Sequence, residues 1–136
     1  MEPIARAWVD AWNAHDVDAI VAWYDATGTH RMASGSTYAG NDAIRAMVER
    51  SLGAYPDLAF TVRDGFATST HFAIEYTMRG TQQAAIGDRA GTGRPIVVDG
   101  ALVGTTTAAG RVVTCVDYLD HHDIRRQLGL APGRGD

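Results

Sequence analysis

Ile44-Arg45-Ala46-Met47-Val48-Glu49-Arg50-Ser51-Leu52-Gly53-Ala54-Tyr55-Pro56-Asp57-Leu58-Ala59-Phe60-Thr61-Val62-Arg63 is the stretch in which the chain changes its period. Before Pro56, the residues Ile44, Met47, Val48, Leu52 and Tyr55 recur at helical spacing and give one apolar helix face. Pro56 lacks an amide hydrogen and stops that helix. Beyond it the period falls to two, and four strand-like segments follow at 58–63, 71–79, 96–106 and 111–119. Helices first and strands afterwards predict an α+β domain in which a curved, mostly antiparallel sheet wraps around N-terminal helices. The concave side of such a sheet is a common place for a small apolar ligand.

Upstream of this switch, Ile4, Trp8, Ala11 and Trp12 form one face of an opening helix that ends near His15. Asp16 reads as the N-cap of a short second helix carrying Val17, Ile20, Val21 and Tyr24. The Gly/Ser-rich segment 28–40 suits a strand, a turn and a return, and Asn41 then signals the cap of the third helix. Asp64-Gly65 and Gly110 read as connections between strands, and 87–95 as a longer Gly-rich connection over a pocket mouth. A short helix at 120–130 and a frayed tail at 131–136 complete a single domain over 1–136.

Bulk composition narrows the function. With 46% hydrophobic and 21% charged residues, the 136-residue chain has the balance of a soluble globular protein, and no apolar run reaches the ~18 residues of a membrane span. A net charge of -4 without a basic cluster leaves no electrostatic footprint for nucleic acid. The start lacks the pattern of a signal peptide and the single Cys115 has no intramolecular partner, so cytoplasmic residence is expected. A small-molecule partner fits better than nucleic acid or a membrane.

The candidate chemistry lies in the last strand, Val112-Val113-Thr114-Cys115-Val116-Asp117-Tyr118-Leu119. A carboxylate facing a core costs several kcal/mol unless compensated, so Asp117 is either a general base in a dry pocket or an acid turned to solvent or to a helix cap. Alternation places Val113, Cys115, Asp117 and Leu119 on one face and Val112, Thr114, Val116 and Tyr118 on the other, a parity that one bulge would reverse. Because both faces are apolar, a homodimer covering the outer one is expected. His30 stands at the end of an element, where it lines a cavity or serves as an ordinary hydrogen-bonded residue. Asp99 interrupts its own strand, either as a cross-strand neighbour of Asp117 or as a solvent-facing acid. In Asp120-His121-His122-Asp123 neighbouring imidazoles diverge by about 100° on a helix, so Asp120 reads as an N-cap and no metal is assigned. Cys115 reads as a small core residue rather than a nucleophile.

The order and spacing of several segments resemble one family. These are the run from Ala11-Trp12-Asn13-Ala14-His15-Asp16 to Ile20, then Tyr38-Ala39-Gly40, Tyr55-Pro56-Asp57-Leu58, Met78-Arg79-Gly80-Thr81 and Thr92-Gly93-Arg94-Pro95. Gly110-Arg111-Val112, Asp117-Tyr118-Leu119-Asp120 and Arg126-Gln127-Leu128-Gly129-Leu130 close the pattern. Together they resemble the SnoaL-like polyketide cyclases of the nuclear transport factor 2-like superfamily, from about Ile4 to Leu130. The resemblance implies a cone-shaped α+β barrel and an enzyme that needs neither metal nor organic cofactor. It also implies an intramolecular aldol-type ring closure, or a related isomerase or lyase reaction, on an apolar carbonyl compound. The family's general acid/base matches Asp117, while a histidine of the cyclases on the preceding strand aligns with Val103.

Two relatives widen the choice. The base of ketosteroid isomerases falls at His30, and the Arg/Asp dyad of limonene epoxide hydrolases falls near Tyr76 and Met78. The expected site therefore has Asp117 and His30 as catalytic residues, with Trp12, Tyr24, Tyr76, Asp99, Val103 and Cys115 against the substrate. A non-catalytic binding or dimerisation module of the same fold is the competing reading, favoured by Val103 and by the missing dyad.

Overall fold

A computed structural model describes residues 1–85 and 90–130. Part of the connection expected at 87–95, and the expected frayed tail, lie outside these residues. Helix α1 (Pro3–Asn13) opens on a proline, whose fixed φ suits a first turn, and buries Ala5, Trp8, Val9, Ala11 and Trp12. The Asn13 amide then donates to the Phe60 carbonyl at 2.9 Å and accepts from the Phe60 amide at 2.8 Å, and a ring nitrogen of His15 meets the Leu58 carbonyl at 2.7 Å. Side chains thereby satisfy backbone groups that a strand at a sheet edge would leave unpaired.

Asp16 caps helix α2 (Val17–Ala22) by accepting from the Ala19 amide at 3.0 Å. Tyr24 is not on this helix, contrary to the periodic reading, but opens strand β1 (Tyr24–Met32). The Trp23 carbonyl takes the Val112 amide at 3.1 Å, so pairing with the far end of the chain ends the helix. Strand β2 (Thr37–Ala39) returns along β1, and helix α3 (Asn41–Ala54) follows. Its cap is Gly40 at φ 84°, with no side-chain capping bond, and Asn41 is its first helical residue rather than the cap. Ile44, Met47 and Val48 face the core as their spacing predicts.

Four long strands complete the chain: β3 (Ala59–Ala67), β4 (His71–Thr81), β5 (Pro95–Thr106) and β6 (Val112–Leu119). Asp64-Gly65 is not a connection, because β3 runs through it and absorbs one residue in a bulge between Val62 and Asp64. The sheet has the order β2-β1-β6-β5-β4-β3, and only the β1–β6 pair is parallel. It is curved but open, with β2 and β3 at its edges, where a closed barrel would have none. Helix α4 (His121–Gln127) ends the described chain, and Asp120 caps it by accepting from the Asp123 amide at 2.9 Å.

Parity in β6 is set by a bulge. Thr105 pairs with Thr114 but Thr106 pairs with Val112, so Val113 is left over. Val112 consequently turns inward, against the simple alternation, while Cys115 and Asp117 keep the inner face predicted for them. No helix among the described residues is long and apolar enough to cross a membrane.

Candidate active site

Three strands bring four polar side chains together on the concave face. Residues Met32 and Asp117 are paired across the parallel β1–β6 ladder, which sets His30 beside the same carboxylate. Tyr24 and His30 share the buried face of β1. Tyr76 comes from β4, two strands away from Asp117, and must lie across β5 to reach it. Gly100 on β5 pairs with Tyr76, and a Cβ there would sit 2.4 Å from the phenol oxygen. The absent side chain is what lets the ring pass.

The Tyr76 hydroxyl donates to Asp117 Oδ1 at 2.6 Å, and His30 Nε2 lies 3.3 Å from Asp117 Oδ2. The other imidazole nitrogen, Nδ1, is 2.8 Å from the Tyr24 hydroxyl. Burial, reinforced by the charges of Cys115 and Asp117, pushes the Tyr24 phenol well above its usual range, so it stays protonated and can donate to Nδ1. That leaves Nε2–H to face Asp117. Tyr76 is also pushed up, by burial first and then by the Asp117 carboxylate it serves. Burial and Asp117 hold the Cys115 thiol well above its ordinary value, which makes it an inert core group.

The cluster opens into a cavity of about 440 Å³, the size of a small-molecule site. Trp8, Trp12 and Phe60 form its apolar wall, with Trp8 and Phe60 ring centroids 4.8 Å apart and Trp12 and Phe60 5.4 Å apart. Among the described residues Asp117 is the one carboxylate in the lining, and its side chain is 14% exposed. The half-exposed residues Ser36, Tyr38, Ser51, Leu119 and His121, with the exposed Arg50, gather at the mouth.

Asp117, His30, Trp12, Tyr24 and Tyr76 are thus brought to one cavity. Cys115 lies behind the wall, buried but outside the lining. Asp99 and Val103 are not brought to it. Asp99 pairs with Thr77, and β6 meets β5 at Leu102↔Asp117, so the two acids are not cross-strand neighbours. Asp99 instead accepts from the Thr77 hydroxyl at 2.7 Å and pairs with Arg63 at 2.9 Å on the outer face. Val103 is 44% exposed on that outer face, and Leu102 takes the cavity position on β5. His30 instead brings an imidazole beside Asp117 from β1. Tyr38 and Arg50 carried no periodic signal, since each belongs to an element whose apolar pattern lies elsewhere.

A curved open sheet around N-terminal helices, with a cavity on its concave face, has the nuclear transport factor 2-like cone fold. The profile of the SnoaL-like domain matches residues 5–115, and the chain belongs to that family. Asp117 lies just past the matched segment. Among solved structures, a protein with a ketosteroid isomerase-like fold from Catenulispora acidiphila, in complex with trimethylamine, is 22% identical, with a TM-score of 0.81 over 96% of this chain and 95% of that one. TsrD from Streptomyces laurentii is 20% identical, with a TM-score of 0.82 over 94% and 93%. A candidate SnoaL-like polyketide cyclase from Jannaschia sp. CCS1 is 16% identical, with a TM-score of 0.80 over 97% and 98%. At these identities the likeness is one of fold. No curated protein matches the sequence significantly.

Proposed function

We propose that the chain is a cofactor-independent cyclase or isomerase that removes a proton alpha to the carbonyl of an apolar small molecule, with Asp117 as the general acid/base. The observation that carries this reading is the placement of Asp117: one nearly enclosed carboxylate in an apolar cavity, held on one oxygen by Tyr76 and on the other by His30. Those contacts use one lone pair on each oxygen and leave others for substrate. In the proposed step a carboxylate oxygen takes the α-proton, the C–H pair becomes the new C=C bond, and the carbonyl π pair moves to oxygen as an enolate. For ring closure the enolate carbon attacks a second carbonyl of the same substrate, and protonated Asp117 returns its proton to the resulting alkoxide. The aromatic wall keeps the reacting carbons close and excludes water. Tyr24 holds the imidazole, and the imidazole with Tyr76 holds the carboxylate, so both tyrosines are positioning residues.

Deuterium uptake at the α-carbon of 2-tetralone in D2O, followed by proton NMR, tests this with a simple ketone of suitable size. Asp117→Asn is expected to lower the protein-catalysed rate by about 10²–10⁴-fold with the fold retained. An unchanged rate in that variant would sink the proposal. The second reading, a binding module, is favoured by the same two contacts, because an acid engaged on both oxygens can also be structural. It wins if 2-tetralone binds but exchanges no faster than in buffer. We further propose a homodimer through the outer sheet face, where Val97 and Val103 are exposed, and sedimentation giving the mass of one chain at all concentrations would remove it.

A further inference from the structure

The cavity has an electrical axis that its apolar wall conceals. Among the described residues of its lining, Asp117 is the one carboxylate and Arg50 the one guanidinium, the acid 14% exposed and the arginine open to solvent. The Arg50 guanidinium carbon lies 5.5 Å from the centroid of the Tyr38 ring, and that ring lies 6.3 Å from the ring of His30. One wall therefore carries a cation, two rings and the acid in turn.

Arg50 has no carboxylate paired with it among the described residues, whereas Arg45, Arg63 and Arg126 pair with Asp18, Asp99 and Asp123. One turn away on α3, positions three and four residues before and after it hold Met47, Ala46, Gly53 and Ala54, none of them acidic. A guanidinium whose only described contact is with a ring keeps N–H groups available, and such a group can grip a carboxylate with two bonds. An anion beside Asp117 would be repelled, so a charged ligand settles with its anion toward Arg50 and its carbon skeleton toward the acid.

We propose that Arg50, over the Tyr38 ring, is a carboxylate-binding position, and that the ligand is an apolar carboxylate whose uncharged, reactive end reaches Asp117. This rests on the cavity being the ligand site proposed above, but not on Asp117 performing chemistry. Calorimetric titration with 2-naphthoate and with methyl 2-naphthyl ketone, which share a skeleton and differ in charge, separates the two. Wild-type protein is expected to prefer the naphthoate, and the preference should shrink as NaCl is raised from about 0.05 to about 0.5 M. In Arg50→Gln naphthoate binding should weaken about tenfold while ketone binding changes less than about twofold, and Arg50→Lys should keep part of the preference. The preference should persist in Asp117→Asn even though deuterium exchange is lost, so failure of the acid/base reading leaves a different trace. Equal weakening of both probes in Arg50→Gln, equal affinities in the wild type, or no binding of naphthoate overturns the proposal.

Discussion

Asp117 and Asp99 have nearly the same hydrogen-bond partners and opposite surroundings. Each accepts from a hydroxyl, Tyr76 at 2.6 Å or Thr77 at 2.7 Å, and each faces a nitrogen, His30 at 3.3 Å or Arg63 at 2.9 Å. They lie on opposite faces of one sheet, with side chains 14% and 65% exposed. The Thr77 hydroxyl, and then Arg63, hold the Asp99 carboxyl below its ordinary range, but water surrounds it and the charge disturbs little else. The charge of Asp117 instead raises the pKa of Tyr24, Tyr76 and Cys115, each already shifted by burial. A carboxylate with good partners is common. What distinguishes a candidate site is that the partners are themselves buried and face a cavity.

This contrast can be broken experimentally, beginning with the Asp117→Asn substitution already described. Next in size is Gly100→Val. Its Cβ would fall 2.4 Å from the Tyr76 hydroxyl, so the phenol must leave Asp117. Losing a hydrogen bond to a carboxylate is worth about 1.5–3 kcal/mol, and 2-tetralone exchange should fall roughly tenfold or more while circular dichroism stays native. Unchanged exchange would mean that Tyr76 does nothing for Asp117. A smaller effect concerns pH. The folded-state pKa values of Tyr24 and Tyr76 are raised above the unfolded value, so the stability these phenols contribute is intact below about pH 10 and is lost as pH rises past it. In an absorbance titration at alkaline pH the two should ionise only as the chain unfolds. Ionisation of all five tyrosines near pH 10 in a still-folded protein would contradict their burial. The smallest effect is expected for Asp99→Asn, which should leave exchange unaltered and the melting temperature within about 2 °C. A tenfold loss of exchange there would erase the distinction between the two faces.

Much of the fold is legible in short-range pattern. The stripe Ile4-Trp8-Trp12, the caps Asp16 and Asp120, and the change of period at Pro56 each act within one or two turns of chain, where spacing alone carries the information. What failed depends on partners distant in sequence. Tyr24 continues a helical stripe but is captured by β6, and Asp64-Gly65 looks like a break but is absorbed by pairing with β4. The site divides in the same way. The inward direction of Asp117 agrees with alternation, although Val112 shows how a bulge two strand positions upstream of Cys115 reverses it. Strand membership suggests Asp99 and the family resemblance suggests Val103, but one residue of register gives the cavity position to Leu102 instead of Val103. The link from Tyr24 through His30 to Asp117 could not be read at all, because it needs the parallel pairing of the first strand with the last.

That pairing governs when the site can exist. Strand β6, the latest in sequence of the six described strands, is inserted between β1 and β5, and only then do His30 and Asp117 meet. Everything emerging earlier carries half of a dyad and an unfilled slot in the middle of its sheet. Contacts of such long sequence separation form late and slowly, because loop closure must precede them. Activity should therefore appear in one step with completion of the sheet, and a nascent or truncated chain lacking β6 would have no partial version of it.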